Sequence, residues 1–137
     1  MSGQYAAQQP IVFIIEDEED TAALIKNIME EEGYEVIHAA DGLKAQSLIA
    51  ASPPPALVLL DMQLPHVNGL ELLAQIRKKS TWVDVPVVML TADNDKTVIC
   101  KSIVAGATEY VLKPFKREAL LARLQRFRSA KQKRRVS

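Results

Sequence analysis

Hydrophobic residues along this chain are concentrated in five short runs, four of which stop at a charged or hydroxyl-bearing residue. The runs span residues 11–15, 34–39, 57–60, 87–90 and 109–112. The run at 57–60 is aliphatic throughout, which is typical of a strand buried on both faces of a parallel sheet. It ends at Asp61. Because binding and catalytic groups in open α/β sheets lie at the carboxyl ends of strands, Asp61 is the first candidate site residue.

Segments with the apolar spacing of amphipathic helices separate these runs. The predicted helices span about 20–32, 42–51, 69–79, 96–105 and 116–128. Asp41 and Asn68 stand where helix N-caps are expected, which leaves Asp61 without a capping role. Strands and helices therefore alternate as (βα)5. Short connections and right-handed crossovers predict an α/β fold, an open parallel sheet with helices on both faces.

Length and composition indicate one soluble domain. The chain has 137 residues, of which 48% are hydrophobic and 25% charged. It has no apolar run long enough to span a membrane and no signal-peptide pattern, so we expect a cytoplasmic protein. The single Cys100 excludes an internal disulfide, and its position in a helical stripe indicates a small core residue. We expect a disordered leader at 1–9 and a folded domain at 10–129.

Charge is unevenly distributed although the formal net charge is zero. Residues 1–61 contain eleven acidic and two basic side chains, whereas the segment from Lys113 onward contains ten basic and one acidic. No aromatic residues are interleaved with the basic residues at 130–137. This segment is therefore interpreted as a solvated basic tail or the start of a linker, and we expect no direct nucleic-acid binding by the domain.

The polar residues at the strand ends predict a single site. Glu16 and Asp17 follow the first strand, Asp61 the third, Thr91 the fourth and Lys113 the fifth. All of them face one edge of a parallel sheet. Three carboxylates crowded together are costly unless cations lie among them, and one lysine cannot neutralise all three. A hard divalent ion with oxygen ligands is implied, and magnesium fits best.

Such a site is suited to phosphoryl transfer. A carboxylate can act as the nucleophile and form an aspartyl phosphate. The reaction needs in-line positioning and neutralisation of the phosphoryl oxygens, which the metal, Lys113 and the Thr91 hydroxyl would share.

At this point the sequence resembles a known family, the receiver domains of two-component response regulators. The matching segments are 14–18, 60–69, 90–92 and 113–115. The resemblance extends over roughly residues 9 to 128. It implies a flavodoxin-like fold with strand order 2-1-3-4-5.

The resemblance also implies residue roles. Asp61 matches the phosphoacceptor, and Asp17 matches the direct magnesium ligand. Glu16 matches an acidic neighbour of that ligand, although the family more often has Asp there. The backbone carbonyl of Gln63 matches the third protein ligand. Asp61 itself completes the metal set.

Further matches concern the response to phosphate. Thr91 and Lys113 match the phosphoryl-binding pair. Tyr110 matches the aromatic residue that moves inward when Thr91 is drawn to the phosphate. The Lys113–Pro114 bond matches a cis peptide of the family.

The implied function is a phosphorylation-controlled switch rather than an enzyme acting on other substrates. The phosphoryl donor would be a phosphohistidine on a sensor histidine kinase or a histidine phosphotransfer protein. An output domain or protein would contact the last two helices and the strand between them. Glu118, Leu121 and Arg123 also resemble the dimerisation face of some receivers, which suggests a possible homodimer.

Three alternatives remain. A magnesium-dependent aspartyl-phosphate hydrolase would need a second acid two residues after the nucleophile, where this chain has Gln63. A flavodoxin-like cofactor carrier would need a Gly/Ser/Thr-rich loop after the first strand, where this chain has acids. A receiver that works without phosphate is disfavoured by the complete set of acids, threonine and lysine.

Overall fold

A computed structural model of the protein describes residues 9–92 and 94–127. The strands are β1 (Ile11–Ile15), β2 (Glu35–Ala39), β3 (Leu57–Asp61), β4 (Val87–Thr91) and β5 (Glu109–Leu112). The helices are α1 (Glu19–Glu31), α2 (Gly42–Ala51), α3 (Gly69–Lys78), α4 (Lys96–Val104) and α5 (Arg117–Leu124). Short 3-10 turns occupy Ser80–Trp82 and Gln125–Phe127. The predicted alternation of strands and helices is confirmed.

All strand pairs are parallel, and their order across the sheet is β2-β1-β3-β4-β5. This is the order that the family resemblance implied. In the register of β3 and β4, Asp61 lies opposite Leu90, and Thr91 comes one residue later. The strand β3 therefore occupies the centre of the sheet, with β1 and β4 on its two sides.

Two hydrophobic clusters cover the two faces of the sheet, because successive strand residues point to opposite faces. Phe13 and Ile15 pack with buried residues of α2 and α3, whereas Val12 and Ile14 pack with buried residues of α1 and α5. The helices thus lie on both faces, as predicted. Strands covered on both sides explain the uninterrupted aliphatic runs in the sequence.

The predicted N-caps are confirmed. The Asp41 side chain accepts a hydrogen bond from the Lys44 backbone N–H at 2.8 Å, and the Asn68 side chain accepts one from the Glu71 N–H at 3.0 Å. Asp61 is consequently free of any capping function. Helix α1 is capped by Glu18, whose side chain accepts from the Thr21 N–H at 3.1 Å.

Some sequence-based expectations were wrong in detail. Cys100 is exposed rather than a core residue, because α4 turns that face of the helix to solvent. Leu24 of α1 is 45% exposed although it lies four residues before the buried Ile28, the spacing that places two residues on one helix face. The last helix ends earlier than predicted, and its final residues form the 3-10 turn Gln125–Phe127.

The expected leader at 1–9 and tail at 130–137 fall almost entirely outside the described residues. Within residues 9–92 and 94–127, none of the helices combines the length and apolar content that crossing a bilayer requires.

Candidate functional site

Three acidic side chains meet at the carboxyl edge of the sheet. Glu16 directly follows β1, Asp17 comes next, and Asp61 ends β3. One carboxylate oxygen from each lies within 4.8 Å of the others. Glu16 and Asp61 are only 1% and 5% exposed, whereas Asp17 is exposed. Neighbouring strands β1 and β3 therefore bring together the carboxylates that the sequence predicted would converge.

The ammonium group of Lys113 lies between the two buried acids. Its Nζ atom is 2.6 Å from Glu16 Oε1 and 3.3 Å from Asp61 Oδ2. Lys113 directly follows β5 and is attached to β4 by its backbone N–H, which donates to the Thr91 carbonyl at 2.7 Å. The Lys113–Pro114 peptide bond is cis.

Burial and charge act in opposite directions on these groups. Burial and the neighbouring Glu16 carboxylate raise the pKa of Asp61 to about 6, although the charge of Lys113 acts to lower it. For Lys113, burial lowers the pKa, but the contacts with Glu16 and Asp61 outweigh burial and raise it overall. The ammonium thus stays charged, and the acid cluster carries more negative charge than one lysine compensates.

Backbone groups hold the Asp61 side chain in place. Asp61 Oδ1 accepts a hydrogen bond from the Gln63 backbone N–H at 3.2 Å. The start of α3 approaches this point closely, since a Cβ atom added at Gly69 would lie 2.4 Å from the Asp61 carbonyl oxygen. Only glycine fits at this position. The Asn68-Gly69 pair that ends the loop therefore lets the start of α3 lie close to Asp61.

The remaining predicted residues lie on β4, on β5 and directly after β4. Thr91 is buried at the end of β4. Ala92 follows it and is exposed. Tyr110 is half-buried on β5, where it is the register partner of Met89. The Arg123 guanidinium carbon lies 5.1 Å from the centre of the Tyr110 ring.

An open cavity of about 410 Å³ lies over the acid cluster. Its lining includes Asp61, Lys113 and Ala92, and it continues past Leu24 of α1 to Phe115. This apolar rim was missed in the sequence. A usable signal existed, because α1 begins directly after the acids that end β1 and its first turns must therefore border the site.

A second feature missed in the sequence is the position of His38. It is exposed, but its Nε2 atom lies 2.8 Å from the Glu16 carbonyl oxygen. It thus supports the backbone of a site residue. Since His38 and Glu16 are joined only through strand pairing of β1 with β2, residue spacing could not indicate this contact.

Comparison with known proteins gives a consistent result. A family model described as the response regulator receiver domain matches residues 12–125. The DNA-binding dual master transcriptional regulator RpaA of Synechocystis sp. is 36% identical over 116 residues, covering 85% of this chain and 48% of RpaA. The sensor histidine kinase TmoS of Ectopseudomonas mendocina is 32% identical over 128 residues, covering 93% of this chain and 13% of TmoS. The chain thus spans half or less of these relatives.

A solved structure supports the same similarity. The receiver domain of the sensor histidine kinase PA1611 from Pseudomonas aeruginosa, with a magnesium ion coordinated in its active site cleft, superimposes with a TM-score of 0.78 at 28% identity. The match covers 87% of this chain and 97% of that domain.

Proposed function

This chain belongs to the response regulator receiver domain family, and we propose that its Asp61 accepts a phosphoryl group from a phosphohistidine. In response, the domain at residues 10–129 changes its contacts with an output partner. Receiver domains are phosphoacceptor switches. The observation that carries the assignment to Asp61 is its place at the end of β3, beside the Lys113 ammonium and open to a cavity.

In the transfer step, an Asp61 carboxylate oxygen attacks the phosphorus atom while the bond from phosphorus to the histidine nitrogen breaks. The histidine nitrogen leaves with the bonding electron pair and takes up a proton. Lys113 is already 3.3 Å from Asp61 Oδ2, so its ammonium can pair with a phosphoryl oxygen with little movement. The Thr91 hydroxyl is proposed to bind another, and the small side chain of Ala92 leaves access for the donor.

The donor set fits magnesium. Glu16, Asp17 and Asp61 offer clustered carboxylate oxygens, and hard oxygen ligands are those that magnesium prefers. The Gln63 backbone carbonyl is proposed as a further ligand. Bound magnesium supplies positive charge that offsets the acids and the phosphoryl oxygens. Without that charge, burial and the Glu16 carboxylate raise the pKa of Asp61 to about 6.

The proposed switch connects Thr91 with Tyr110. Movement of the Thr91 hydroxyl toward the phosphoryl group would open space near β4 into which the Tyr110 ring turns. The output surface is then α4, β5 and α5. This surface carries exposed apolar side chains, among them Val104 and Leu112, which suits a protein partner or a second copy of the chain.

The partners follow from the relatives. RpaA is named as a DNA-binding transcriptional regulator and TmoS as a sensor histidine kinase. We propose that this domain receives its phosphoryl group in the cytoplasm from a sensor histidine kinase or a histidine phosphotransfer protein. It would catalyse only its own phosphorylation and dephosphorylation.

Incubation with acetyl phosphate and magnesium tests this function. We expect one phosphoryl group per chain, stable in acid and labile in base, as is typical of an acyl phosphate. Asp61→Asn should abolish the modification. Asp20→Asn, the same charge change at an exposed position of α1, should leave it intact. Undiminished labelling of Asp61→Asn would contradict the proposal.

A further inference from the structure

Arg77, in the last turn of α3, joins two chain connections at the sheet edge opposite the acid cluster. Its Nε atom donates to the Gly106 carbonyl at 2.8 Å, in the connection between α4 and β5. Its Nη1 and Nη2 atoms donate to the carbonyls of Trp82 and Val85 at 3.0 and 2.9 Å, in the connection between α3 and β4. One planar guanidinium therefore binds three backbone carbonyls from two separate segments.

The contact with Gly106 is also a packing contact. Gly106 has a φ of 112°, and a Cβ atom added there would lie 2.8 Å from Cγ of Arg77. The aliphatic part of Arg77 thus fills the space that a side chain at 106 would occupy, while its Nε binds the carbonyl of the same residue. Gly106, two residues after the end of α4, is thus contacted at both its carbonyl group and its Cα atom.

Helix α4 has little else to hold it. Ser102 is the only buried residue in Lys96–Val104, and its hydroxyl is bonded within the helix, to the Val98 carbonyl. Val98 is only partly buried against the core, and Val104 is 87% exposed. Helix α3, by comparison, buries Leu72, Leu73 and Ile76 as well as Gly69. The position of α4 therefore depends mainly on its two ends.

We propose that Arg77 is a positioning residue that anchors the C-terminal end of α4, so that the helix moves only at its N-terminal end when the site is phosphorylated. The inference rests on the proposed function, because the movement begins at Thr91, five residues before Lys96. A helix of this length is about 13 Å long, so a rotation of roughly 10° about the anchored end displaces the other end by about 2 Å. A small change at Thr91 is thereby converted into a change of surface shape.

Lys79 provides a matched control. It also lies at the end of α3 and also donates to helix-terminal carbonyls, but those of α2, with Nζ 2.7 Å from the Ile49 oxygen. Removing Lys79 therefore removes the same kind of contact from α2, together with its contact with the Trp82 ring, and removes none of the hydrogen bonds that Arg77 makes.

Amide hydrogen exchange of the full chain tests the anchor. The reporters at the C-terminal end of α4 are the N–H groups of Ala105, Gly106 and Ala107, which donate to the carbonyls of Lys101, Ile103 and Ser102. We expect Arg77→Met to raise their exchange rates at least tenfold without any ligand. Arg77→Lys, which keeps the charge but cannot span three carbonyls, should give a smaller increase in a fully folded protein. Lys79→Met should change these rates less than twofold.

The switching part is tested with magnesium and beryllofluoride, a mimic of the phosphoryl group. In the unchanged protein, beryllofluoride should alter exchange at the N-terminal half of α4 and leave the three C-terminal reporters within twofold. In Arg77→Lys, the alteration should spread to those reporters. A fluorine label on Cys100, exposed on α4, gives a second readout of the same movement.

The phosphoacceptor function and the Arg77 anchor are contradicted by different results. If beryllofluoride changes no amide near Asp61 or Lys113, the proposed function is contradicted, while the ligand-free exchange rates still decide whether Arg77 anchors α4. If beryllofluoride binds but Arg77→Lys leaves the three reporters unchanged in both states, the anchor is refuted and the phosphoacceptor function stands.

Discussion

Two buried carboxylates, Glu16 and Asp61, share the single ammonium group of Lys113, at 2.6 and 3.3 Å. The Glu16 carboxylate contacts Lys113 directly, at the shorter of these two distances. In a buried setting such close pairs are screened little by solvent, so the position of Lys113 depends on both acids. The ammonium is thereby held beside the oxygen that is proposed to receive the phosphoryl group.

Replacement of Lys113 should separate metal binding from the response to phosphate. We expect Lys113→Ala to leave magnesium affinity largely intact, because the ligand oxygens belong to other residues. The beryllofluoride-induced change at Tyr110 should be lost, because the phosphoryl oxygens lose their ammonium partner. Magnesium titration and NMR of the Tyr110 ring measure the two effects.

Lys116→Ala is the control, since Lys116 is exposed and its side chain makes no capping hydrogen bond. A full beryllofluoride response in Lys113→Ala would show that Lys113 does not bind the phosphoryl group.

At the scale of elements, the site depends on where helices begin. Helix α3 begins at Gly69, directly beneath Asp61, and α1 begins just after Asp17. Helices α1 and α5 lie on the same face of the sheet and are joined by ion pairs. Arg117 of α5 pairs with Glu31 and Glu32 at the end of α1. Helix α1, which borders the cavity, and helix α3 are thus positioned by capping and close packing as well as by the hydrophobic core.

Gly69→Ala tests this dependence. The added methyl group would lie 2.4 Å from the Asp61 carbonyl and 2.8 Å from Cα of Met62, both backbone atoms that cannot rotate away. We expect a loss of about 1–3 kcal/mol in the free energy of unfolding, the range of overpacked cores, and slower phosphorylation by acetyl phosphate. Urea unfolding and the labelling assay measure these quantities.

Glu71→Ala, an exposed change in the same turn, should stay within about 0.5 kcal/mol of the parent protein. An equally small effect of Gly69→Ala would mean that the loop after β3 can shift at little cost in free energy and does not position Asp61.

At the scale of the whole molecule, ionisation of Asp61 in the acid cluster lowers the free energy of unfolding. The pKa of Asp61 is about 6 in the folded protein and its usual value is 3.8, so the folded chain binds more protons than the unfolded chain between these values. The free energy of unfolding must therefore fall as pH rises through this interval. At about 1.4 kcal/mol for each pKa unit, the loss amounts to at most about 3 kcal/mol.

We predict that, in EDTA, Asp61→Asn becomes progressively more stable than the parent protein as pH rises from about 4 to above 6. The reason is that asparagine cannot ionise and loses no stability in this interval. Urea unfolding of both proteins across this range measures the difference. Magnesium should reduce the difference, because it favours the ionised carboxylate. Parallel pH profiles in EDTA would contradict a raised pKa for Asp61.

Much of the site was predictable because it is built from residues at strand ends. Parallel strands place their carboxyl ends on one edge, so Asp17, Asp61 and Lys113 could be assigned to one site without coordinates. The exposure of Leu24 and Cys100 was not predictable. Helical spacing shows which residues share a face of a helix, but how far that face is covered depends on the neighbouring elements.

The sequence by itself determined the alternation of strands and helices, the helix caps at Asp41 and Asn68, and the convergence of three acids and Lys113 at one edge of the sheet, because hydrophobic periodicity and chain direction are local properties. Only the tertiary structure decided the distances among Glu16, Asp61 and Lys113 and the contacts of Arg77 with two distant connections. Such contacts arise between segments far apart in the chain, and their geometry depends on strand register and helix packing, which no local pattern encodes.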